Sequence, residues 1–219
     1  MRLNQFLARH TDLSRRSADV AISEGRVEID DILARLGDTV IDSDSVTLDG
    51  HKIIDRVKTQ TIMLHKPVGY VCSRAGQGNK TIYDLLPAEL KHLNPVGRLD
   101  KDSSGLILLT NDGELANQLT HPRNKKAKRY EVNLDKPLPP LHQQIISNTG
   151  IELEDGVSQL KLRPLNKSRV QWEVIMHEGR NRQIRRTFDT LGYKVTNLHR
   201  TNFGEYRLQK LAYGEYITQ

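Results

Sequence analysis

The chain contains many short apolar or alternating segments separated by loops of unequal length, and this pattern limits the folds it can adopt. The clearest segment is GLILLT, residues 105–110, which is short and apolar enough for a buried strand. Three further segments have the composition or alternation of strands: residues 61–66, 128–134 and 169–176. Helical spacing is seen at residues 181–192, where Asn181 lies near the predicted N-cap and Gly192 follows the end. One side of this helix carries Ile184, Phe188 and Leu191, and Arg182 and Arg186 project roughly opposite. Short strands with irregular loops favour an α+β sheet over a regular βαβ winding.

The pattern changes near residue 50, which predicts two domains. Before it, two helical segments are followed by two short alternating segments; after it, the strands are longer and more apolar. We predict a small N-terminal domain at residues 1–50, a linker at 51–59 and a larger domain at 60–219. In the N-terminal domain, Ser14 is the predicted N-cap of the second helix and Gly25 its left-handed C-terminal cap.

Charge is distributed unevenly between these two parts. Residues 1–50 hold six arginines and ten acidic residues, which gives −4, and the overall charge of +6 leaves +10 for residues 51–219. A basic protein of this kind is expected to bind a polyanion. The single cysteine, Cys72, excludes an intrachain disulfide and a cysteine-rich zinc site. Without a long apolar run or an apolar signal core, we expect a cytoplasmic protein that does not bind membranes.

The N-terminal part resembles the S4 domain, a small RNA-binding module, over residues 2–9, 13–29 and 44–50. The resemblance implies that its paired helices present arginines to RNA phosphates, at the positions of Arg9, Arg15, Arg16 and Arg26. From charge alone, the same arginines could form an ordinary solvated helix face. The sequence departs from the S4 pattern at the first hairpin, where Asp30 and Asp31 replace the usual Asn-Gly; a different hairpin is expected there, and its acids would repel RNA.

A charged loop, GRLDKDSSG at residues 97–105, leads directly into the apolar run. A carboxylate at a pocket floor can act as a nucleophile or a base if a fixed cation keeps it ionised. Arg185 is a candidate for that cation, because helical spacing places it at the border of the apolar stripe of residues 181–192. Tyr130 could stack on a nucleobase. The alternatives from spacing alone are a surface aspartate and an inward-facing strand tyrosine.

The larger part of the chain resembles the ribosomal RNA pseudouridine synthases that carry an N-terminal S4 domain. The resemblance runs through four segments, KPVGYVCS, PVGRLDKDSSGLILLTNDGELANQLTHP, KRYEV and EGRNRQIRR, at residues 66–73, 95–122, 128–132 and 178–186. It implies a catalytic domain with a mixed, largely antiparallel sheet and a central cleft, following the small S4-like α/β domain.

The same resemblance assigns roles to individual residues. Asp100 matches the catalytic aspartate, and Arg185 matches the basic residue that pairs with it. Tyr130 matches the tyrosine that packs on the target uracil, Ile184 lines the pocket, and Arg98 fills the gap left by the extruded base. Three basic residues are further candidates for RNA contact: Lys128, Arg180 and Arg182. Asp102 is interpreted as a residue that shapes the loop, and Lys66 as structural.

The implied reaction is the isomerisation of a uridine in ribosomal RNA to pseudouridine. It needs no cofactor and no metal, because nothing is added to the nucleotide or lost from it. The expected partner of the protein, which we expect to be a monomer, is a stem-loop of ribosomal RNA, in 23S RNA by preference and in 16S RNA as the second choice. Asp100 could attack the sugar or the ring, or remove a sugar proton; the sequence leaves these routes open.

Two other functions fit parts of the sequence. One is an RNA-binding ribosome-assembly factor without catalysis, against which the set of Asp100, Tyr130 and Arg185 argues. The other is a general basic binder of structured nucleic acid, including DNA. Both would bind nucleic acid without changing a uridine.

Overall fold

The computed structural model describes residues 1–53 and 58–219. It divides into two compact units, Met1–Thr59 and Gln60–Gln219. The predicted linker at 51–59 begins inside the first unit, because His51–Lys52 forms a paired strand. Its residues 54–57 lie outside the described residues. Among the residues described, no helix is both long and apolar enough to cross a bilayer.

The N-terminal unit begins with two helices, α1 (Leu3–His10) and α2 (Arg15–Ser23). The cap predicted at Ser14 is present, since its hydroxyl accepts from the backbone N–H of Ser17 and the Ser17 hydroxyl accepts in return from the N–H of Ser14. Gly25 follows α2 with φ +71°, a conformation that glycine adopts without strain.

The helices of this unit cover a small antiparallel sheet in the order β2-β1-β3-β4. The strands are β1 (Val27–Ile29), β2 (Ile32–Leu33), β3 (Val46–Leu48) and β4 (His51–Lys52). Their core consists of nine buried residues: Leu3, Leu7, Ala18, Ala21, Ile22, Val27, Ala34, Val40 and Val46. The hairpin between β1 and β2 keeps a two-residue turn, because Asp30 and Asp31 both adopt positive φ (50° and 64°). This is the conformation that an Asn-Gly turn would supply.

The second unit carries a nine-stranded sheet whose main path is β11-β12-β8-β13-β7-β5-β15, with β6 paired to β7 and β14 to β13. The strands are β5 (Thr61–Lys66), β6 (Asn94–Val96), β7 (Ser104–Thr110), β8 (Lys128–Leu134), β11 (Lys161–Pro164), β12 (Gln171–Met176), β13 (Val195–Phe203), β14 (Tyr206–Arg207) and β15 (Tyr216–Thr218). Two more strands, β9 (Ile151–Leu153) and β10 (Gly156–Ser158), form a separate hairpin.

The helices of the second unit are short. They are α3 (Gly113–Thr120), α4 (Pro140–Gln144), which continues into a π-turn at Ile145–Thr149, and α5 (Gln183–Thr190). Single 3₁₀ turns occur at Ile82–Leu85, Ala88–Leu90 and Pro122–Asn124. Only the β13–β7 pairing in the large sheet is parallel, so the prediction of a mixed, largely antiparallel sheet is confirmed.

The centre of this sheet follows the sequence pattern closely. All seven residues of β7 are buried, which confirms the strand predicted from GLILLT. On β8, Tyr130, Val132 and Leu134 are buried as their alternation predicted. Strand β7 can run beside β13 because residue 105 is glycine: with φ +112°, a Cβ there would lie 2.2 Å from the carbonyl oxygen of Arg200.

The start of α5 differs from the prediction. The N-cap is Arg182, in the left-handed conformation (φ 46°), and not Asn181. Helical spacing predicted that Arg182 projects from the outer face of the helix, but Arg182 precedes the helix. Ile184 and Phe188 are buried against the sheet as expected, and Gly192 follows the helix with φ +76°.

Candidate active site

The loop between β6 and β7 lies at the edge of a cleft of about 450 Å³. The cleft is lined by the predicted residues Arg98, Asp100, Tyr130 and Ile184, which come from three separate parts of the chain. The carboxylate of Asp100 is partly accessible, with 34% of its side chain exposed. A carboxylate with this exposure can contact a ligand in the cleft without a movement of the loop.

Lys66 supports this loop from inside the protein. Its ammonium group donates to three carbonyl oxygens, those of Pro67 (3.1 Å), Asp100 (3.0 Å) and Ser103 (2.6 Å). The side chain is fully buried, and this burial lowers the pKa of Lys66 to about 8. Because the ammonium binds the carbonyl of Asp100 and that of Ser103, Lys66 fixes the backbone on both sides of the turn.

The segment that follows Lys66 holds the loop at two more points. The N–H of Gly69 donates to the carbonyl of Lys101 (2.7 Å). The N–H of Leu99 donates to the sulfur of Cys72 (3.4 Å), and burial raises the pKa of this thiol. The motif KPVGYVCS at residues 66–73 therefore acts as a backbone clamp on the loop that carries Asp100.

The arginines near the loop are arranged differently from the prediction. The expected ion pair between Asp100 and Arg185 is not formed in the described part of the chain. Among the described residues, the cation nearest to the carboxylate of Asp100 is Arg182, with 3.7 Å between Nη1 and Oδ2. Arg185 instead lies 3.3 Å from Oδ2 of Asp102 and donates from Nη2 to the carbonyl of Asp102 (2.8 Å).

Asp102 is the acid that organises these guanidinium groups. It accepts two hydrogen bonds from Arg182, at 3.0 and 2.9 Å, in the bidentate geometry that arginine favours. These bonds hold the pKa of Asp102 below its usual value. Arg185 is only 13% exposed, and burial lowers its pKa. The interpretation of Asp102 as a residue that only shapes the loop was incomplete, because its side chain pairs with both arginines.

The walls of the cleft place the remaining predicted residues. Tyr130 is 7% exposed and Ile184 is 4% exposed, and both line the cleft. Arg98 is exposed at its rim. Lys128 lines it too; its ammonium donates to the carbonyl of Glu178 (3.2 Å), and burial lowers its pKa. These residues combine an apolar wall with a basic edge.

Arg180 has less freedom to bind RNA than the sequence suggested. Its guanidinium donates to the carbonyls of Asp155, Gly156 and Val157, and pairs with the carboxylate of Asp155 at 2.9 Å. Most of its donors are therefore used to hold the β9–β10 hairpin beside the cleft, which indicates a structural role.

The four arginines predicted in the N-terminal unit fall into two groups. Arg9, Arg15 and Arg16 are exposed and form no ion pair or hydrogen bond through their side chains with the described residues. Arg26 is also exposed, but it pairs with Asp49 at 2.7 Å and with Glu24 at 3.3 Å. Only the first group has donors that are all available to a phosphate.

Sequence reasoning missed a charged residue of the cleft, Arg200. It lies on β13, for which no strand was predicted, and its side chain is 1% exposed while lining the cleft. No motif marked it, because an arginine in a polar stretch such as TNLHRTNF gives no signal of burial. Its position became visible only from the pairing of β13 with β7 and β8.

An accessible carboxylate beside an apolar, aromatic wall and several cations is suited to an enzyme that acts on a nucleobase within a polyanion. Comparison with known proteins agrees with this class. The sequence matches the RNA pseudouridylate synthase family over residues 60–190. A Bacillus subtilis protein named ribosomal large subunit pseudouridine synthase B is 36% identical over 222 residues, covering 98% of this chain and 90% of that protein.

Two further comparisons extend over nearly the whole chain. A Pasteurella multocida protein named ribosomal small subunit pseudouridine synthase A is 35% identical, covering 99% of this chain and 94% of that protein. A crystal structure of a pseudouridylate synthase superposes with a TM-score of 0.71 at 31% identity, covering 100% of this chain and 96% of that one. The chain belongs to the RNA pseudouridine synthase family, whose members are isomerases.

Proposed function

We propose that this protein isomerises a uridine in ribosomal RNA to pseudouridine and that Asp100 is its catalytic carboxylate. The observation that carries the proposal is the position of Asp100, held by its backbone at Lys66 and open to a cleft beside Tyr130 and Ile184. A carboxylate that is fixed through its main chain keeps its side chain free to react with a substrate.

The other residues of the cleft take roles that follow from their positions. Tyr130 and Ile184 hold the uracil, and Arg98, at the rim, occupies the gap that the base leaves in the RNA. Extruding a base costs a few kcal/mol, and stacking on an aromatic side chain returns about 1–3 kcal/mol. Arg182 supplies the positive charge next to Asp100. Arg185 positions Asp100 through its contacts with Asp102 and the turn.

We also propose that the N-terminal unit, residues 1–50 by the sequence boundary, is an RNA-binding domain of the S4 type, followed by the catalytic domain at 60–219. Its support is the presence of two helices on a small sheet, the second of them with a capping box at Ser14, and of Arg9, Arg15 and Arg16, which are exposed and unpaired among the described residues. These arginines contact phosphates of the RNA. Arg26 contributes less, because Asp49 already neutralises it.

The proposed substrate is a stem-loop of 23S ribosomal RNA, with 16S RNA as the second candidate. The first choice is supported by the name of the Bacillus subtilis relative, and the second by that of the Pasteurella multocida relative, whose identity to this chain is nearly the same. We expect the protein to act as a monomer in the cytoplasm, where ribosomal RNA is assembled into subunits.

The catalytic role of Asp100 is tested by Asp100→Asn, which removes the charge and keeps the shape. The variant should form no pseudouridine in protein-free ribosomal RNA while retaining RNA affinity within about threefold, since the phosphate contacts that dominate affinity are unchanged. Asp189→Asn, an exposed substitution on α5, is the matched control and should be as active as the wild type. Turnover by Asp100→Asn at the wild-type rate would exclude this mechanism.

The choice of substrate is tested by incubating the wild-type protein with 23S and 16S RNA separately and mapping pseudouridine by carbodiimide modification. One modified uridine in 23S RNA is the expected result. Modification of 16S RNA alone would select the second candidate. Binding of both RNAs without modification of either would favour an assembly factor that does not catalyse.

A further inference from the structure

The cleft contains a buried arginine that the roles described above do not use. The Nε of Arg200 donates to the carbonyl oxygen of Leu106 (2.8 Å), and its guanidinium carbon lies 5.0 Å from the centre of the Phe203 ring. Its Nη2 is buried and has no hydrogen-bond partner among the described residues. Nor does any carboxylate of the described residues approach within 4 Å of this guanidinium.

Such an arrangement is costly in a protein that binds nothing at this point. A buried charge without a counter-ion and a buried donor without an acceptor are both unfavourable, and a lost hydrogen bond from a charged group costs more than one from a neutral group. Two lysines add positive charge near this guanidinium. Burial lowers the pKa of Lys66 and of Lys128, and repulsion from Arg200 lowers both further. The site therefore needs an acceptor from outside the chain.

The register of the sheet indicates which part of a nucleotide supplies that acceptor. Arg200 on β13 is directly opposite Tyr130 on β8, and it is opposite Gly105 on β7. Residues directly opposite each other on neighbouring strands have adjacent side chains on the same face. Arg200 is thus a neighbour of the tyrosine proposed to hold the base, and at 1% exposure it lies far below the rim where Arg98 is accessible.

We propose that Arg200 is a substrate-binding residue whose free Nη2 donates a hydrogen bond to a carbonyl oxygen of the extruded uracil. The inference rests on the proposed function, because it takes a uridine as the ligand of the cleft. A phosphate oxygen of the same nucleotide offers similar acceptor chemistry, but phosphates follow the RNA backbone at the rim, and Arg200 lies below it.

This contact is strengthened during the reaction. When the C1′–N1 bond breaks with its electron pair on the ring, negative charge spreads from N1 to O2 and O4; joining C5 to C1′ and moving the C5 proton to N1 then restores a neutral ring. A fixed guanidinium at a carbonyl oxygen stabilises the charged stage more than the starting uridine. Losing one such donor lowers kcat by about 10²–10³-fold in comparable sites.

The test compares Arg200→Lys with a matched control, Arg169→Lys, on an RNA hairpin containing the uridine mapped with the wild type. Arg169 also stacks on an aromatic ring (Trp172, 4.9 Å) and donates from Nε to a carbonyl (Leu138, 2.7 Å), but Gln143 accepts from its Nη2 and it does not line the cleft. Arg200→Lys should lower kcat by about 10²-fold with little change in KM, whereas Arg169→Lys should change neither. A wild-type kcat in Arg200→Lys would overturn the proposal.

A second measurement begins with the wild type alone, so its first result holds even if Arg200→Lys does not fold. Sulfur is a weaker acceptor than oxygen, so the wild type should convert a hairpin with 2-thiouridine or 4-thiouridine at the target more slowly than one with uridine. In Arg200→Lys that difference should disappear. Equal rates on all three hairpins, together with slow conversion of a hairpin carrying a methylphosphonate beside the target, would assign Arg200 to the phosphate and overturn the contact with the base. If the wild type modified no uridine at all, the proposed function itself would fail.

Discussion

The two units use arginine in opposite ways. On the N-terminal helices, Arg9, Arg15 and Arg16 are exposed and have no partners among the described residues. Around the cleft, Arg182 and Arg185 are tied to the loop of Asp100 through Asp102, and Arg180 is tied to the β9–β10 hairpin. The exposed arginines can follow the shape of an RNA backbone, whereas the tied ones keep a fixed geometry.

This difference predicts that the exposed arginines determine RNA affinity, whereas the arginines fixed around the cleft determine the rate of the reaction. Contacts of mobile arginines with phosphates depend on salt and carry little positional information. Cations fixed by hydrogen bonds keep the geometry of a reactive group, and displacements of about 1 Å can cost about 10²-fold in rate. Substitutions in the first unit should therefore change RNA binding, and those around the loop should change kcat.

Among the substitutions that test this comparison, the largest effect is expected from Lys66→Met. This change removes the donor for three carbonyl oxygens, including that of Asp100, and frees the turn. We expect kcat to fall by about 10²-fold. The stability should fall by less than the loss of three hydrogen bonds alone would cause, because methionine avoids the cost of burying an ammonium whose pKa is about 8. Single-turnover rates and thermal unfolding measure the two effects.

The control for this variant is Lys101→Met, in the same loop. The ammonium of Lys101 is exposed and, among the residues that the structure describes, donates only to the side chain of Asn79 (2.6 Å). Its loss should leave kcat within about twofold of the wild type, because an exposed contact contributes little. Equal activity of both variants would mean that the buried lysine does not position Asp100.

A moderate effect is expected from Asp102→Asn. The substitution removes the charge that pairs with both Arg182 and Arg185 and so loosens the cations near Asp100. We expect kcat to fall by about tenfold with unchanged RNA affinity. Asp155→Asn is the matched control, since Asp155 also pairs with two arginines, Arg180 and Arg186, and forms no ion pair or hydrogen bond with Asp100 or its loop in the described part of the chain. If both substitutions had the same effect on kcat, the pairing at Asp102 would have no special role.

The smallest effect per substitution is expected in the N-terminal unit. Arg15→Gln and Arg16→Gln should each weaken RNA binding a few-fold and reduce the slope of log affinity against log salt by about 0.7–0.9, the value for one phosphate contact. Arg26→Gln should change that slope less, because Asp49 and Glu24 already pair with Arg26. Titrations at several salt concentrations distinguish the two groups. An equal change for all three would show that the ion pairs of Arg26 open on binding.

Local features could be predicted where a residue acts on its immediate neighbours. The cap at Ser14, the left-handed glycines 25 and 192 and the buried face of β8 all follow from short-range sterics and hydrogen bonding. The candidates Asp100, Tyr130 and Ile184 came from motif resemblance, and the structure brings them to one cleft. Their roles remain predictions for the experiments above.

Pairings between distant parts of the chain could not be predicted in this way. Helical spacing placed Arg182 on the outside of α5, but the chain enters the helix through a left-handed residue that directs it to Asp102. The ion pair assigned to Asp100 and Arg185 was wrong, because which acid meets which arginine depends on the path of a turn and on hydrogen bonds made 80 or more residues away.

The sequence by itself indicated an α+β fold in two parts, the strands β7 and β8 beside the cleft, and Asp100 as the candidate acid. Only the tertiary structure decided the partners of that acid and the burial of Arg200 beside Tyr130. The physical reason is that periodicity and capping act over one or two turns of chain. The contacts that β13 makes with β7 and with β8 depend instead on a register set by the whole sheet.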